Sequence, residues 1–269
     1  MSVSEHVKNI VDQYQRITAM PEIIISENTM GQFHSFLNLL SNDHGSDFSE
    51  SVLAHPDIQK IKPGIQKIFS HASSLYERHW ATQILNSDMP RQTFEREYPY
   101  YQHYERATGL EINSIQSLSE RTIERVLMVG SGALPVTSMA LAQSGFITDN
   151  LDIHGEDLEL GQSVSQRLHP SYQMSFIHND ICQESNLAKY DVIWLAALVG
   201  DEKIKANIVA HLFKNMKPAS LLVVRTAYNL RTLLYPSISE QELQPFKLKL
   251  KIQTYADNFH SILIAQKPV

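Results

Sequence analysis

The sequence predicts an α/β chain, a doubly wound and mostly parallel sheet preceded by an all-helical N-terminal domain. Three observations carry this reading. Residues 1–118 show helical spacing of apolar side chains and no glycine-bounded β-branched runs. From about Glu124 onward, short apolar runs alternate with amphipathic stretches. The first of those runs, Arg125-Val126-Leu127-Met128-Val129, turns directly into Gly130-Ser131-Gly132-Ala133-Leu134-Pro135. Strands that alternate with helices imply a parallel sheet covered on both faces.

In chain order, Val3, Val7, Ile10, Val11, Tyr14 and Ile17 recur at helical spacing, as do Phe33, Phe36, Leu37 and Leu40. Pro56 and the Pro63-Gly64 pair punctuate the stretch, and the pair is expected to open a long helix over about 65–85. Aromatic residues gather in Tyr98-Pro99-Tyr100-Tyr101-Gln102-His103-Tyr104. Strands are expected at about 125–130, 149–153, 173–179, 191–197, 220–226, 246–252 and 259–266. The last two are adjacent, which suggests an antiparallel hairpin at the sheet edge. This is the layout of a class I methyltransferase-like, Rossmann-like domain. The expected division is a helical lid over 1–118 and a cofactor-binding domain over 119–269. No Gly/Ser linker separates them, so the lid is expected to sit tightly over the strand ends.

Composition narrows the function. The chain has 269 residues, 43% of them hydrophobic and 19% charged, which describes an ordinary folded protein. A formal charge of −6 without a basic run disfavours nucleic acid as a partner. No run approaches the roughly twenty apolar residues a bilayer requires, and no leader pattern opens the chain, so a cytoplasmic protein without membrane association is expected. Cys182 is the single cysteine, expected to serve as a small buried hydrophobe. The twelve histidines show no zinc-ligand spacing, and no metal site is expected.

The run 126–129 reads as a buried parallel strand, and Gly130 and Gly132 remove the Cβ atoms that would keep a ligand from the backbone. Pro135 fits the first turn of the next helix. It also stands where a dinucleotide fingerprint has its third glycine, so a ligand without a pyrophosphate is favoured. Asp152 follows Gly132 by twenty residues, at the end of the second expected strand, where a carboxylate can accept both ribose hydroxyls. Asp180 ends the third, where an acid can accept from an adenine amine. Gly130, Ser131, Gly132, Pro135, Asp152, Ile153, Asp180, Ile181 and Ala196 are the expected cofactor-binding residues. The set describes S-adenosylmethionine (SAM) better than NAD.

Five stretches, in order, resemble the nicotianamine synthases and their bacterial relatives that make opine-type metallophores such as staphylopine and pseudopaline. They are Val129–Ser138, Leu195-Ala196-Ala197-Leu198-Val199-Gly200, Arg225-Thr226-Ala227 with Arg231, Leu234-Tyr235-Pro236, and Tyr98-Pro99-Tyr100-Tyr101 with Tyr104. The resemblance implies transfer of the 3-amino-3-carboxypropyl (aminobutanoyl) arm of SAM to an amine, with release of methylthioadenosine. A sulfonium carries three attached carbons, and the one that reacts is the one held in line, about 3 to 3.5 Å from the nucleophile.

The resemblance also implies roles for particular residues. Glu77 matches by position the family's general base, and Tyr104 its second catalytic residue. On a helix Glu77 shares a face with Ser73, Trp80, Ala81 and Ile84, which would raise its pKa by partial desolvation. Without the resemblance, a solvated glutamate paired with Arg78 is the simpler account. Tyr100 and Tyr101 are expected to contact substrate, though such aromatics are often core. Arg225, at a strand end, is expected to hold a substrate carboxylate, with an ion pair as its alternative. Arg231 and Tyr235 are expected to be structural. His154 departs from the family, where an acid commonly stands.

The leading expectation is an aminobutanoyltransferase that alkylates a free amino acid, histidine first among the candidates, with the product passed to an opine dehydrogenase. The nearest alternative is nicotianamine synthase proper, which condenses three SAM molecules. A small-molecule methyltransferase and a non-catalytic SAM-binding module are alternatives of another class. A homodimer is compatible with all of them.

Overall fold

A computed structural model describes residues 2–41, 44–254 and 260–269. Four helices lead the chain: α1 (Val3–Thr18), α2 (Glu27–Ser41), α3 (Ser46–Leu53) and α4 (Pro56–Asn86). Ser2 and Glu5 form a capping box that starts α1. The stripe Val7, Ile10 and Ile17 packs against Phe33, Phe36 and Leu40 of α2. That core also takes in Leu230, Leu233 and Leu234, so the helical layer shares buried surface with the short turn at Asn229–Leu233 and the residue that follows it.

The expected start of a helix at 65 is corrected: α4 runs unbroken through Pro63. A proline there gives up one ladder hydrogen bond, a local cost of about 3 kcal/mol. Tertiary packing outweighs it. Ile58 and Ile65 are buried on either side, and Tyr14 of α1 lies so close to Gly64 that any Cβ there would collide with its hydroxyl.

Short helical turns at Pro90–Gln92 and Thr93–Glu97 lead into α5 (Tyr101–Leu118). Although the sequence groups it with the lid, α5 covers the sheet itself, burying Ile112 and Ile115 among Val126, Met128 and Trp194.

The strands are β1 (Arg125–Val129), β2 (Ile147–Asp152), β3 (Met174–His178), β4 (Val192–Leu195), β5 (Leu221–Thr226), β6 (Lys247–Ile252) and β7 (Ser261–Gln266). Each lies within two residues of its expected bounds; position 259 of the last expected strand falls outside the described residues. Helices α6 (Val136–Gln143), α7 (Gly155–Leu168) and α8 (Glu202–Asn215) connect them. The sheet order is β3-β2-β1-β4-β5-β7-β6. The first five strands in that order are parallel, and β7 runs antiparallel between β5 and β6. Alternate residues face opposite sides: Leu127, Ile193 and Val224 meet Ile208 and Leu212 of α8, while Met128, Trp194 and Val223 meet α5. The strand order reverses between β1 and β4, which opens a crevice at their carboxyl ends.

One buried charge cluster fixes α5 beneath that crevice. Glu111 is fully buried and accepts from Arg225 through both oxygens, at 2.8 and 2.9 Å, and from the Trp194 indole at 3.0 Å. Removing one partner of such a pair leaves the other charge uncompensated in a dry interior. Glu111→Ala is therefore expected to lower the unfolding free energy by about 3–5 kcal/mol in urea titration. The Glu111→Leu/Arg225→Met double variant should regain most of that loss.

Candidate active site

The glycine turn after β1 is the floor of a cavity of about 740 Å³. Gly130 and Gly132 both take positive φ, +79° and +66°, which an L side chain adopts only with strain. Gly130 N–H donates to the Leu151 carbonyl at 2.8 Å, extending the ladder one residue past β1. Asp152 then organises the turn: one carboxylate oxygen accepts from Gly132 N–H at 2.9 Å and the other from His154 N–H at 3.0 Å. Pro135 stands at the N-cap of α6, one position before the first-turn place expected for it. Behind the loop, a Cβ on Gly161 of α7 would come within 2.8 Å of the Gly132 carbonyl. Close helix approach, the service of a third glycine in a dinucleotide loop, is here supplied by α7.

Above the turn lies Glu77 of α4. A Cβ on Gly132 would collide with its carboxylate, so the missing side chain is what admits it. Burial, and then the charges of Asp157 and Asp152, push the Glu77 pKa up to about 8; a hydrogen bond from Ala133 N–H opposes the shift. Its neighbour Arg78 does not neutralise it. Arg78 forms a two-pronged ion pair with Asp157 of α7, its Nη2 at 3.1 Å from Oδ2, and so ties α4 down beside the loop. Ala81 and Ile84 anchor the same helix in a core with Leu134, Val136 and Val164.

Tyr104 of α5 also lines the cavity, its phenol held neutral by burial and by the Glu77 charge. Ser131, Asp152, Ile153, Asp180, Ile181 and Ala196 surround the remaining volume. Ile153, 59% exposed, and the buried Ile181 both line this volume. Asp180 accepts from Cys182 N–H at 2.9 Å through Oδ1 and also lines the cavity. A smaller cavity of about 120 Å³ adjoins the first and shares Ser73, Glu77, Tyr104, Tyr235 and His260 with it. Its other walls are apolar and aromatic, including Phe33, Phe69, Tyr76 and Tyr100.

Four expectations change. Arg225 lines the cavity, but its fork is committed to Glu111, with Nη1 donating to the Thr137 hydroxyl at 2.9 Å; it is a buried ion pair, 4% exposed. Tyr101 lines neither cavity, since it packs on Phe94 and donates to Glu105 at 2.7 Å. Tyr235, expected to be structural, lines both cavities, whereas Arg231 does hold structure by donating to the Thr254 and Ser41 carbonyls at 2.8 and 3.3 Å. Cys182 is half-buried on the cavity wall, its thiol pushed up by burial and by Asp180. Glu111, Asp157, Gly161, His260 and Lys205 are among the contributors that went unforeseen. Lys205 is fully buried and donates to the Ala197 and Pro236 carbonyls at 2.6 and 2.5 Å, which ties together the loops after β4 and β5.

Among the described residues no group of three or more His, Cys, Asp or Glu could hold a metal ion. None of the described helices is long and apolar enough to cross a membrane.

The profile of the nicotianamine synthase protein family matches residues 1–269. The chain belongs to the nicotianamine synthase family. It is therefore a transferase of that family's kind. Nicotianamine synthase 1 of Arabidopsis thaliana is 29% identical over 272 residues, covering 97% of this chain and 83% of the relative. Probable nicotianamine synthase 3 of Hordeum vulgare is 31% identical over 221 residues, covering 79% of this chain and 66% of the relative. Among solved structures, a glutamate-to-glutamine mutant of MtNAS in complex with S-adenosylmethionine superposes with a TM-score of 0.83 at 18% identity, over 98% of both chains. MtNAS in complex with MTA and tNA gives 0.84 at 18% identity, over 99% of this chain and 98% of that one. Magnesium protoporphyrin IX methyltransferase from Synechocystis, with bound SAM, gives 0.51 at 17% identity, over 77% of this chain and 96% of that one. These likenesses establish the class I methyltransferase-like fold.

For this nicotianamine synthase family member, Gly132→Ala combines a strained φ with a collision against Glu77. A left-handed alanine costs about 1–2 kcal/mol, so the melting temperature is expected to fall by at least about 3 °C in calorimetry. Gly109→Ala, in a helix with open space around it, should leave it unchanged or raise it. Adding Glu77→Ala to Gly132→Ala should recover the part of the loss due to collision.

Proposed function

We propose that the protein is a nicotianamine synthase in the strict sense, a cytoplasmic enzyme that transfers the 3-amino-3-carboxypropyl arm of SAM to the amine of another SAM-derived unit. The observation that carries this is Glu77, a carboxylate of raised pKa seated against the glycine turn where the two cavities meet. The plant relatives named above and the SAM complex of MtNAS support the substrate. They favour condensation of SAM units over the single transfer to histidine expected from the resemblance.

In this reading Asp152 accepts the ribose hydroxyls with the lone pairs its backbone contacts leave, Asp180 accepts from the adenine amine, and Ile153 and Ile181 cover the ring. The sulfonium lies near Glu77, Asp152 and Asp157, whose negative field suits a cation. An α-amino group is protonated at neutral pH and cannot attack carbon until it loses that proton. Glu77 takes it. The amine nitrogen then forms its bond to the arm's terminal carbon as the C–S bond breaks, the electron pair passing to sulfur and leaving neutral methylthioadenosine. The neutral Tyr104 phenol can donate to one partner and accept from another, which orients the amine beside Glu77. Transfer of the arm, and not of the methyl group, follows if the acceptor approaches from the small cavity.

Purified protein given SAM alone is expected to release methylthioadenosine and form nicotianamine, identified by mass spectrometry. Product that appears only with added histidine would support the single-transfer reading, and S-adenosylhomocysteine would mean a methyltransferase. Glu77→Gln should still bind SAM, weakened only by the loss of the carboxylate's attraction for the sulfonium, yet lose about 10²–10⁴ in kcat, the usual share of a general base. The active form is the carboxylate, so wild-type kcat/KM should fall as pH drops below about 8 and level off above it. Bound sulfonium stabilises the carboxylate, so the midpoint in kcat should lie at lower pH than that in kcat/KM.

A further inference from the structure

One polar side chain at the junction of the two cavities is used neither by the cofactor site nor by the proton transfer. His260 stands just before β7, which runs antiparallel to β5 and therefore begins at the edge where the parallel strands end. Its side chain lines both cavities and is 9% exposed. Neither Nδ1 nor Nε2 has a hydrogen-bond partner among the described residues. The ring is held by edge contacts with Tyr235 and His103, at centroid distances of 5.8 and 5.9 Å. A neutral imidazole carries one N–H donor and one acceptor, and a buried polar group left unpaired is costly. A group so placed is completed by a ligand.

The surrounding charge says what kind. Burial and the Arg225 guanidinium, then His103 and Arg231, hold the His260 pKa well below its ordinary value, so the ring is neutral and still offers its N–H. Arg225 Nη1 makes one bond, to Thr137, which leaves it a second N–H, and the residue lines the larger cavity. The junction thus has a cationic side at Arg225 and a proton-accepting side at Glu77, with the acids Asp152 and Asp157 acting on it. An α-amino acid, whose carboxylate and amine sit on one carbon, matches that polarity in one orientation only.

We propose that His260 binds the acceptor's α-carboxylate, donating its ring N–H to it beside Arg225, and so turns the acceptor's amine toward Glu77. This rests on the aminocarboxypropyl-transfer reading and adds to it the residue that selects an α-amino acid over a plain amine. It also returns Arg225 to the substrate as a supporting charge, without removing it from Glu111.

Calorimetric titration of wild type, His260→Leu and His260→Asn with methylthioadenosine and, separately, with nicotianamine tests it. Methylthioadenosine probes the nucleoside pocket alone, and its affinity should stay within about twofold in both variants. His260→Leu should bind nicotianamine about tenfold or more weakly, the usual loss of one hydrogen bond to a charged group, and His260→Asn, which keeps a donor, should regain most of that. Unchanged nicotianamine affinity in His260→Leu overturns the proposal. Equal loss of both ligands also overturns it, because that marks a purely structural role. Failure of the underlying reading looks different: wild type itself would bind no nicotianamine and release no methylthioadenosine from SAM, and the proposal would fall with it.

Discussion

The contact between the Glu77 carboxylate and the backbone at Gly132 is the constraint on which the site depends. A side chain at position 132 would occupy the carboxylate's place, and the positive φ there makes that side chain unfavourable in any case. From the other face, Gly161 lets α7 close on the same loop, and the Arg78–Asp157 pair holds α4 and α7 together across it. A helix from the N-terminal layer is thereby brought against the glycine turn that follows β1.

The same closeness sets the chemistry and costs stability. Crowding Glu77 with two further acids in a buried place raises its folded pKa to about 8, far above the value of an unfolded glutamate. With a raised folded pKa, the favourable protonated state contributes fully below the unfolded value, and that contribution is lost as pH rises through the folded one. At working pH the chain therefore carries part of a strain, and in the proposed reaction a sulfonium and an ammonium would supply the charges those acids lack. On the opposite wall the buried Glu111–Arg225 pair fixes α5 and leaves positive potential near His260. In the proposed reaction the amino-acid acceptor would span these two walls.

Much of this was legible in the sequence because it rests on local pattern. Apolar runs bounded by glycine and acid gave the strands to within two residues, and the turn at 130–132 with Asp152 and Asp180 marked the edge that lines the large cavity. Pro63 misled because its cost is local while Tyr14 against Gly64 is a contact across nearly fifty residues of chain. Arg225 was rightly placed at a strand end, but its partner Glu111 lies on a helix 114 positions earlier, and nothing in the spacing joins them. His260 was within reach. Once the last two strands were read as an antiparallel hairpin, the first residues of the final one, expected from 259, had to fall at the edge where the parallel strands end, where a histidine preceding an apolar run is conspicuous. Tyr101 was misread because helix phase, which turns Tyr104 inward and Tyr101 toward Phe94, depends on where α5 begins.

The central claim is that Glu77 is a carboxylate held protonated near neutrality by its place against the glycine turn. Carbon-13 NMR of the free protein labelled at glutamate side-chain carboxyls, with Glu77→Gln used to assign the resonance, measures this directly. The account predicts a Glu77 titration midpoint near pH 8. A midpoint in the ordinary glutamate range, about 4.3, would contradict it.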